Sequence, residues 1–199
     1  MSTTVILASA SASRARLLTA AGLPFTAIAA HVDEDAVKAA MKADGATALD
    51  CAETLAELKA LKISQAHPSA LVIGADQMLA CEDRWFDKPP NVDAARDHLM
   101  SLSGKTHTLP TVAIVARGGA RIWQHRSAPK LTMRNLNPAF LETYLAHAGE
   151  AVLSSVGAYQ LEGAGVQLFK AIDGDFFTIL GLPLLPLLNF LREHDVSLR

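Results

Sequence analysis

A chain of 199 residues, half of them apolar and 19% charged, is long enough to bury about 70% of its unfolded surface, so no disulfide or metal is needed for stability. Its 18 basic and 20 acidic residues leave a net charge of −2, which offers no field to attract long nucleic acid or an anionic membrane. The opening MSTTVILASASASR has no basic segment before an apolar core, and the apolar window Phe176–Leu191 is short and broken by Gly181, Pro183 and Pro186, so neither a signal peptide nor a membrane span is expected and a cytoplasmic location is.

In chain order, Val5–Ala8 reads as a short strand, then a serine-rich turn and a helix carrying Leu17 and Leu18 that Gly22 and Pro24 end. Phe25–Ala29 suits a second strand, and Asp33–Ala43 and Ala46–Lys62 suit helices. Leu71–Ala75 is an apolar strand that ends directly at Asp76, and Asn91–Leu102 is a helix. Thr106–Val115 and Arg121–Arg126 form a hairpin around Gly118-Gly119. Pro138–His147 is a helix capped by Asn137, Gly157–Leu182 is strand-like, and Pro183–His194 closes the chain as a helix. Alternating strands and helices with a hairpin between them predict an α/β domain with a mixed sheet.

Three signatures fail. Gly104-Lys105-Thr106 resembles the end of a phosphate-binding P-loop, but Leu99 stands where its first glycine belongs and a strand follows instead of a helix. Gly163-Ala164-Gly165 lacks the third glycine of a dinucleotide fingerprint, since Leu168 is there, and no helix follows. Leu153 occupies the first glycine position of a nucleophile elbow. Cys51 and Cys81 match no zinc spacing and are expected as free buried thiols. His67, His98, His107, His125 and His147 show no ligand spacing and are expected at the surface or satisfied in the core.

Two local features point to chemistry. In Leu7–Leu18 a strand runs through Ser9, Ser11 and Ser13 into a helix start, where unsatisfied N–H groups favour an anion. Arg14 in the first turn opposes the helix dipole by up to about 1 kcal/mol, which makes sense beside a multiply charged anion. Taken alone, the segment equally suits plain N-capping with a solvated arginine. Asp76 stands at the carboxyl end of an apolar strand, where open α/β sheets place ligands. A carboxylate there can orient a metal or take a proton from water, although a turn aspartate has the same local signature.

The collective order is more specific. It runs Ser9-x-Ser11-x-x-Arg14-x-x-Leu17-Leu18, Val32-Asp33-Glu34, Lys59 ahead of Ala75-Asp76-Gln77, Lys88-Pro89, Leu102-Ser103-Gly104-Lys105-x-His107, and Gly174-Asp175-Phe176-Phe177 before Gly181-Leu182-Pro183. This resembles the Maf family of nucleoside triphosphate pyrophosphatases from Leu7 to about Pro186. The resemblance implies a single domain with a mixed, bent sheet flanked by helices around a deep cleft, and a homodimer. It implies Asp76 as general base, with Lys59 and Lys88 beside it in catalysis. Ser9, Ser11, Arg14 and Lys105 would bind the triphosphate, and Glu34 with Asp76 would hold a divalent cation, Mg²⁺ or Mn²⁺. A triphosphate of about four negative charges requires several cationic side chains together with a divalent metal.

Some positions depart from the frequent family pattern. Ser13 replaces the first of two adjacent arginines, Gln77 replaces a threonine, and Leu161-Glu162-Gly163 replaces Ile-Gln-Gly. Gln77 and Glu162, which the resemblance implies as substrate-binding residues, resemble the branch acting on 7-methyl-GTP, and a Glu162 carboxylate suits the guanine N1–H and N2–H donors. Ser13 lacks the aromatic residue often found in that branch, and Gly157-Ala158-Tyr159 resembles the dTTP and UTP branch. The base stays open, with 7-methyl-GTP ahead of dTTP and UTP. The alternative function is a nucleotide-binding regulator of cell division with little turnover.

Overall fold

The computed structural model describes residues 3–197. The strands are β1 (Val5–Leu7), β2 (Thr26–Ala27), β3 (Leu71–Gln77), β4 (Leu79–Cys81), β5 (Arg84–Phe86), β6 (Thr106–Thr108), β7 (Thr111–Arg117), β8 (Ala120–Ser127), β9 (Lys130–Met133) and β10 (Phe169–Asp173). The helices are α1 (Ala12–Ala20), α2 (Glu34–Ala43), α3 (Ala48–Ala66), α4 (Val92–Leu102), α5 (Pro138–Ala148), α6 (Phe176–Ile179) and α7 (Leu184–Glu193). The fold is α/β, and the described residues divide into two compact units, one of residues 3–77, 111–127 and 176–197, the other of Met78–Pro110 and Ala128–Asp175.

The first unit holds the expected mixed sheet, in the order β2-β1-β3-β7-β8. Strands β2, β1 and β3 are parallel, while β7 and β8 run antiparallel as the hairpin predicted around Gly118-Gly119. Strand β3 is buried along nearly its whole length, as its unbroken apolar run requires. On one face Leu7, Leu18, Ile73, Val115, Leu187 and Leu191 belong to one apolar cluster. Helix α3 lies against β3 at a point where a side chain is missing. A Cβ on Gly74 would stand 2.2 Å from Ala56 O and 2.8 Å from Ala60 Cβ, so glycine opposite two alanines is what permits the approach.

Side chains cap the helix starts, as the sequence suggests for Ser11 and Asn137, while Asp33 and Thr47, read as lying within their helices, prove to be caps too. Ser11 Oγ accepts from Arg14 N at 3.4 Å, Asp33 Oδ1 from Ala36 N at 3.1 Å, Thr47 Oγ1 from Asp50 N at 3.1 Å and Asn137 Oδ1 from Phe140 N at 2.8 Å. Each satisfies one of the orphan donors of a first helical turn.

The second unit is built on a wholly antiparallel sheet, β10-β9-β6-β4-β5. Its core includes His107, whose Nε2 lies 2.7 Å from Tyr159 Oη while Nδ1 has no partner. The expectation of a satisfied core histidine therefore holds for one ring nitrogen only. Both cysteines are buried and free, as expected.

The structure corrects three readings. Thr106–Val115 is not one strand: β6 and β7 belong to different sheets, separated at Leu109-Pro110. Pro110 has no N–H for a ladder, and its carbonyl instead accepts from Met78 N at 2.8 Å. The stretch 157–182 is mostly not strand. It holds short 3-10 turns at Val156–Ala158 and Ala164–Leu168, strand β10 and helix α6. The glycines explain this: Gly157 has φ +79°, and a Cβ on Gly165 would meet Gln160 O at 2.4 Å, so the backbone folds on itself there. Strand β3 does not end before Asp76, because Asp76 pairs with Val112 and Gln77 with Thr111 within the β3–β7 ladder. The short strands β4, β5 and β9 carry too little alternation to be legible.

Candidate active site

In the first unit β1 and β3 are adjacent and parallel, so the turn after β1 and the Asp76 end of β3 open on the same edge of the sheet. That edge, beyond the carboxyl ends of parallel strands, is where such sheets bind ligands. The chain leaves β1 through Ser9, whose Oγ accepts from Ser11 N at 3.1 Å, and enters α1 with Ser11 as its cap. Arg14, one turn later, points inward and is 9% exposed. Its Nε donates to Gly181 O at 2.8 Å and its Nη1 to Ser9 Oγ at 3.2 Å. The solvated-arginine reading of this motif is therefore excluded, while Ser11 does act as an N-cap.

Lys59 reaches the same edge from α3, held close to β3 by the Gly74 contact. Its Nζ lies 2.7 Å from Asp76 Oδ1 and 2.6 Å from Glu34 Oε1, so one ammonium bridges two carboxylates. Lys59 and Asp76 are buried, at 7% and 5% exposure. Glu34 stands at the first position of α2 and its side chain is more open. Asp76 is thus neither a helix cap nor a solvated turn residue.

Burial and charge act against each other here. Desolvation pushes the Asp76 carboxyl above the usual range, and the charges of Lys59 and Arg14 only partly offset it. Desolvation also acts to raise Glu34, but the Lys59 hydrogen bond and charge, with Lys38 and Arg14, outweigh it and leave Glu34 below the usual range. Burial lowers the Arg14 guanidinium, opposed by the charges of Asp76 and Glu34. A buried carboxylate whose pKa is raised is a better proton acceptor near neutral pH than an ordinary one.

Gln77 follows Asp76, and its Nε2 donates to Thr111 Oγ1 at 2.9 Å, Thr178 O at 3.0 Å and Ile179 O at 3.2 Å. The remaining three expected site residues lie in the second unit. Lys88 is exposed in the loop after β5, ahead of buried Pro89. Lys105 is exposed between α4 and β6, with Nζ 2.9 Å from Glu82 Oε2, a hydrogen bond that raises its pKa. Glu162 is exposed in the turn after Leu161. The first unit thus brings together Ser9, Ser11, Arg14, Glu34, Lys59 and Asp76, with Gln77 beside them.

Two participants were not legible as site residues. The Gly181 carbonyl that holds Arg14 was visible only as a glycine in a motif. Gly74, which admits α3, was visible only as a glycine interrupting an apolar strand, a pattern that signals close backbone approach.

Among the described residues, no group of three or more His, Cys, Asp or Glu side chains is arranged to hold a metal. The donors present are two carboxylates, Glu34 and Asp76, already drawn onto one cation. Such a set fits a hard ion of the Mg²⁺ type, which takes one or two carboxylates and completes its shell with water and substrate phosphates.

A profile of the Maf-like protein family matches residues 4–194. A protein named nucleoside triphosphate pyrophosphatase from Rhodospirillum rubrum is 56% identical over 194 residues, covering 98% of this chain and 96% of that relative. One of the same name from Paramagnetospirillum magneticum is 57% identical over 189 residues, covering 95% and 97%. A protein named 7-methyl-GTP pyrophosphatase from Brucella abortus is 49% identical over 194 residues, covering 98% of each chain. No helix among the described residues is long and apolar enough to cross a membrane. With a profile match over nearly its whole length and relatives this similar end to end, the chain belongs to the Maf family.

Proposed function

We propose that this protein is a hydrolase that converts a nucleoside triphosphate to the nucleoside monophosphate and pyrophosphate. The observation that carries the reading is the buried Asp76 carboxylate held against Lys59 and near Arg14 at the carboxyl edge of a parallel sheet. The names of the relatives support the same activity.

In this mechanism Arg14 and Lys59 neutralise the phosphate oxygens, and the Ser9 and Ser11 hydroxyls line the approach. Asp76 accepts a proton from the attacking water. The water oxygen bonds to the α-phosphorus, the bond from that phosphorus to the bridging oxygen breaks, and pyrophosphate leaves. A divalent cation held by Glu34 and Asp76 would supply further charge neutralisation and a more acidic water. Placement of water in line with the leaving group accounts for much of the rate.

Lys88 and Lys105 supply additional cationic charge to the triphosphate, and Glu162 accepts from guanine N1–H and N2–H. The substrate preferred by this reading is 7-methyl-GTP, with dTTP and UTP next; the relatives named for 7-methyl-GTP support the first choice. The enzyme works in the cytoplasm as a homodimer.

The test is a panel of ordinary and modified nucleoside triphosphates with Mg²⁺ or Mn²⁺, scored for pyrophosphate. Orthophosphate as the first product overturns attack at the α-phosphorus, and tight binding without turnover favours a regulator. In the same panel Glu162→Gln is expected to weaken guanine substrates more than pyrimidine ones; equal losses sink the assignment of the base.

A further inference from the structure

Glu162 is exposed at the middle of a turn, 161–163, that belongs to no helix or strand. The chain reaches it through Gly157, at φ +79°, and Ala158, at φ +62°, two successive residues in the left-handed region, where alanine is disfavoured. Such a path persists only where neighbouring groups hold it. Tyr144 Oη donates to Ala158 O at 3.1 Å and Ser155 Oγ to Tyr159 O at 2.6 Å. Gly163 N then returns to Gln160 O at 3.2 Å, and Val166 N to Gly163 O at 3.2 Å, which folds the turn onto Gln160. The Tyr159 side chain ties this path to the sheet of the second unit. Its Oη lies 2.7 Å from His107 Nε2, its ring stands edge-on to Phe169 at 4.8 Å between centroids, and a Cβ on Gly157 would meet its Cε1 at 2.8 Å. His107 sits on β6, the central strand of that sheet, opposite Leu131 of β9, and is 1% exposed.

We propose that His107 is a positioning residue for base recognition: through Tyr159 Oη it fixes the start of the turn that presents the Glu162 carboxylate. Two parallel hydrogen bonds from guanine N1–H and N2–H require that carboxylate to hold one direction, and a turn outside any helix or ladder needs an anchor to provide it. Packing alone does not account for the histidine. Its imidazole makes its hydrogen bond to Tyr159 and leaves Nδ1 without a partner, and a buried bare nitrogen costs more than an apolar side chain of similar volume. The inference deepens the proposed function and rests on it for the assignment of Glu162 to the base.

Steady-state kinetics with 7-methyl-GTP and UTP compare the wild type, Tyr159→Phe, His107→Leu, His107→Gln, Glu162→Gln, and Tyr159→Phe combined with Glu162→Gln. Tyr159→Phe keeps the ring and is expected to raise the KM for 7-methyl-GTP about tenfold, with kcat and the UTP constants moving less than about twofold. His107→Leu gives the same pattern, and His107→Gln, whose carboxamide reaches the Tyr159 hydroxyl, restores most of the loss. In the Glu162→Gln background Tyr159→Phe adds less than about twofold, because the two residues act in series. Amide hydrogen exchange reads the turn without turnover. In Tyr159→Phe the Gly163 and Val166 N–H groups are expected to exchange about tenfold faster, while Met133 N–H, bonded to Lys105 O in the strands beside His107, keeps its rate. If His107→Leu does not fold by near-UV circular dichroism, Tyr159→Phe and His107→Gln carry the test. Equal losses on both nucleotides, additive losses with Glu162→Gln, or unchanged exchange in the turn overturns the proposal. If the wild type releases pyrophosphate from no guanine nucleotide, the proposed base assignment fails, while exchange at Gly163 and Val166 still decides whether His107 holds the turn.

Discussion

Replacing Lys59 by Met keeps the bulk of the side chain and removes the ammonium that lies 2.7 Å from Asp76 and 2.6 Å from Glu34. Removing one member of a buried ion pair costs about 3–5 kcal/mol, because the other charge is left without compensation. Asp76 can relieve part of that cost by taking up a proton, so the loss depends on pH. Its pKa is already raised by burial, and without Lys59 it rises further. A raised carboxyl makes the folded state bind more protons than the unfolded chain, so stability falls as pH rises from the ordinary carboxylate value through the folded one. The slope reaches about 1.4 kcal/mol per pH unit for one proton. In the wild type Glu34 has the opposite shift, with its window below the ordinary glutamate value; without Lys59 the desolvation that acts to raise it is less opposed, so Glu34 changes the gap in the same direction as Asp76. The gap in unfolding free energy between wild type and Lys59→Met is therefore expected to be about 3 kcal/mol at pH 7, and smaller by up to about 1.4 kcal/mol at pH 6. Urea denaturation at pH 5, 6 and 7 measures it, and any other titrating group common to both proteins cancels in the difference. A gap that does not change with pH, or one below about 0.5 kcal/mol, would refute the view that Lys59 holds a buried Asp76 charge.

Asp76→Asn is expected to lower kcat by about 10²–10⁴ with an unchanged near-UV circular dichroism spectrum; retention of more than about a tenth of the activity would remove Asp76 as proton acceptor. Gly74→Ala places a Cβ 2.2 Å from Ala56 O, so it should cost about 1–3 kcal/mol and reduce kcat by moving Lys59 from Asp76. Gly45→Ala is its control: the position has φ +73° with nothing within 4 Å, so backbone strain of about 1 kcal/mol with full activity is expected, and equal kinetic damage in both variants would contradict the packing account. Burial holds the His107 imidazole down to about 4, from an ordinary 6.5. The unfolded chain thus takes up this proton first, and stability falls as pH drops between those values. In His107→Gln that term is absent, so its gap from wild type should narrow by up to about 3 kcal/mol between pH 6.5 and pH 4, as read by urea titration; a gap that is constant or widens would refute it.

Much of the local structure was legible. Asn137 and Ser11 cap helices because an acceptor three residues before an N–H is a local requirement. The apolar run before Asp76 is a buried strand, and Gly118-Gly119 turns a hairpin. The break at Pro110 is hidden by the apolar residues on both sides of it, although proline's missing donor argues against a continuous strand. The glycine-rich stretch from Gly157 has the composition of a strand but folds on itself, because close backbone approaches, such as Gly165 on Gln160, leave no periodic signal.

The sequence alone determined which residue types and motifs are present, the family they belong to and the order of most helices and strands, since these depend on spacing along the chain. Only the tertiary structure decided how the site is connected. Arg14 was as consistent with solvent as with an anion until its Nε was found on Gly181 O, 167 positions away. Lys59 and Asp76 form a buried pair because Gly74 lets α3 close on β3, and Gln77 reaches α6 across 101 residues. Such contacts are set by packing between elements far apart in sequence, and the cost or benefit of a charge depends on the burial that this packing creates.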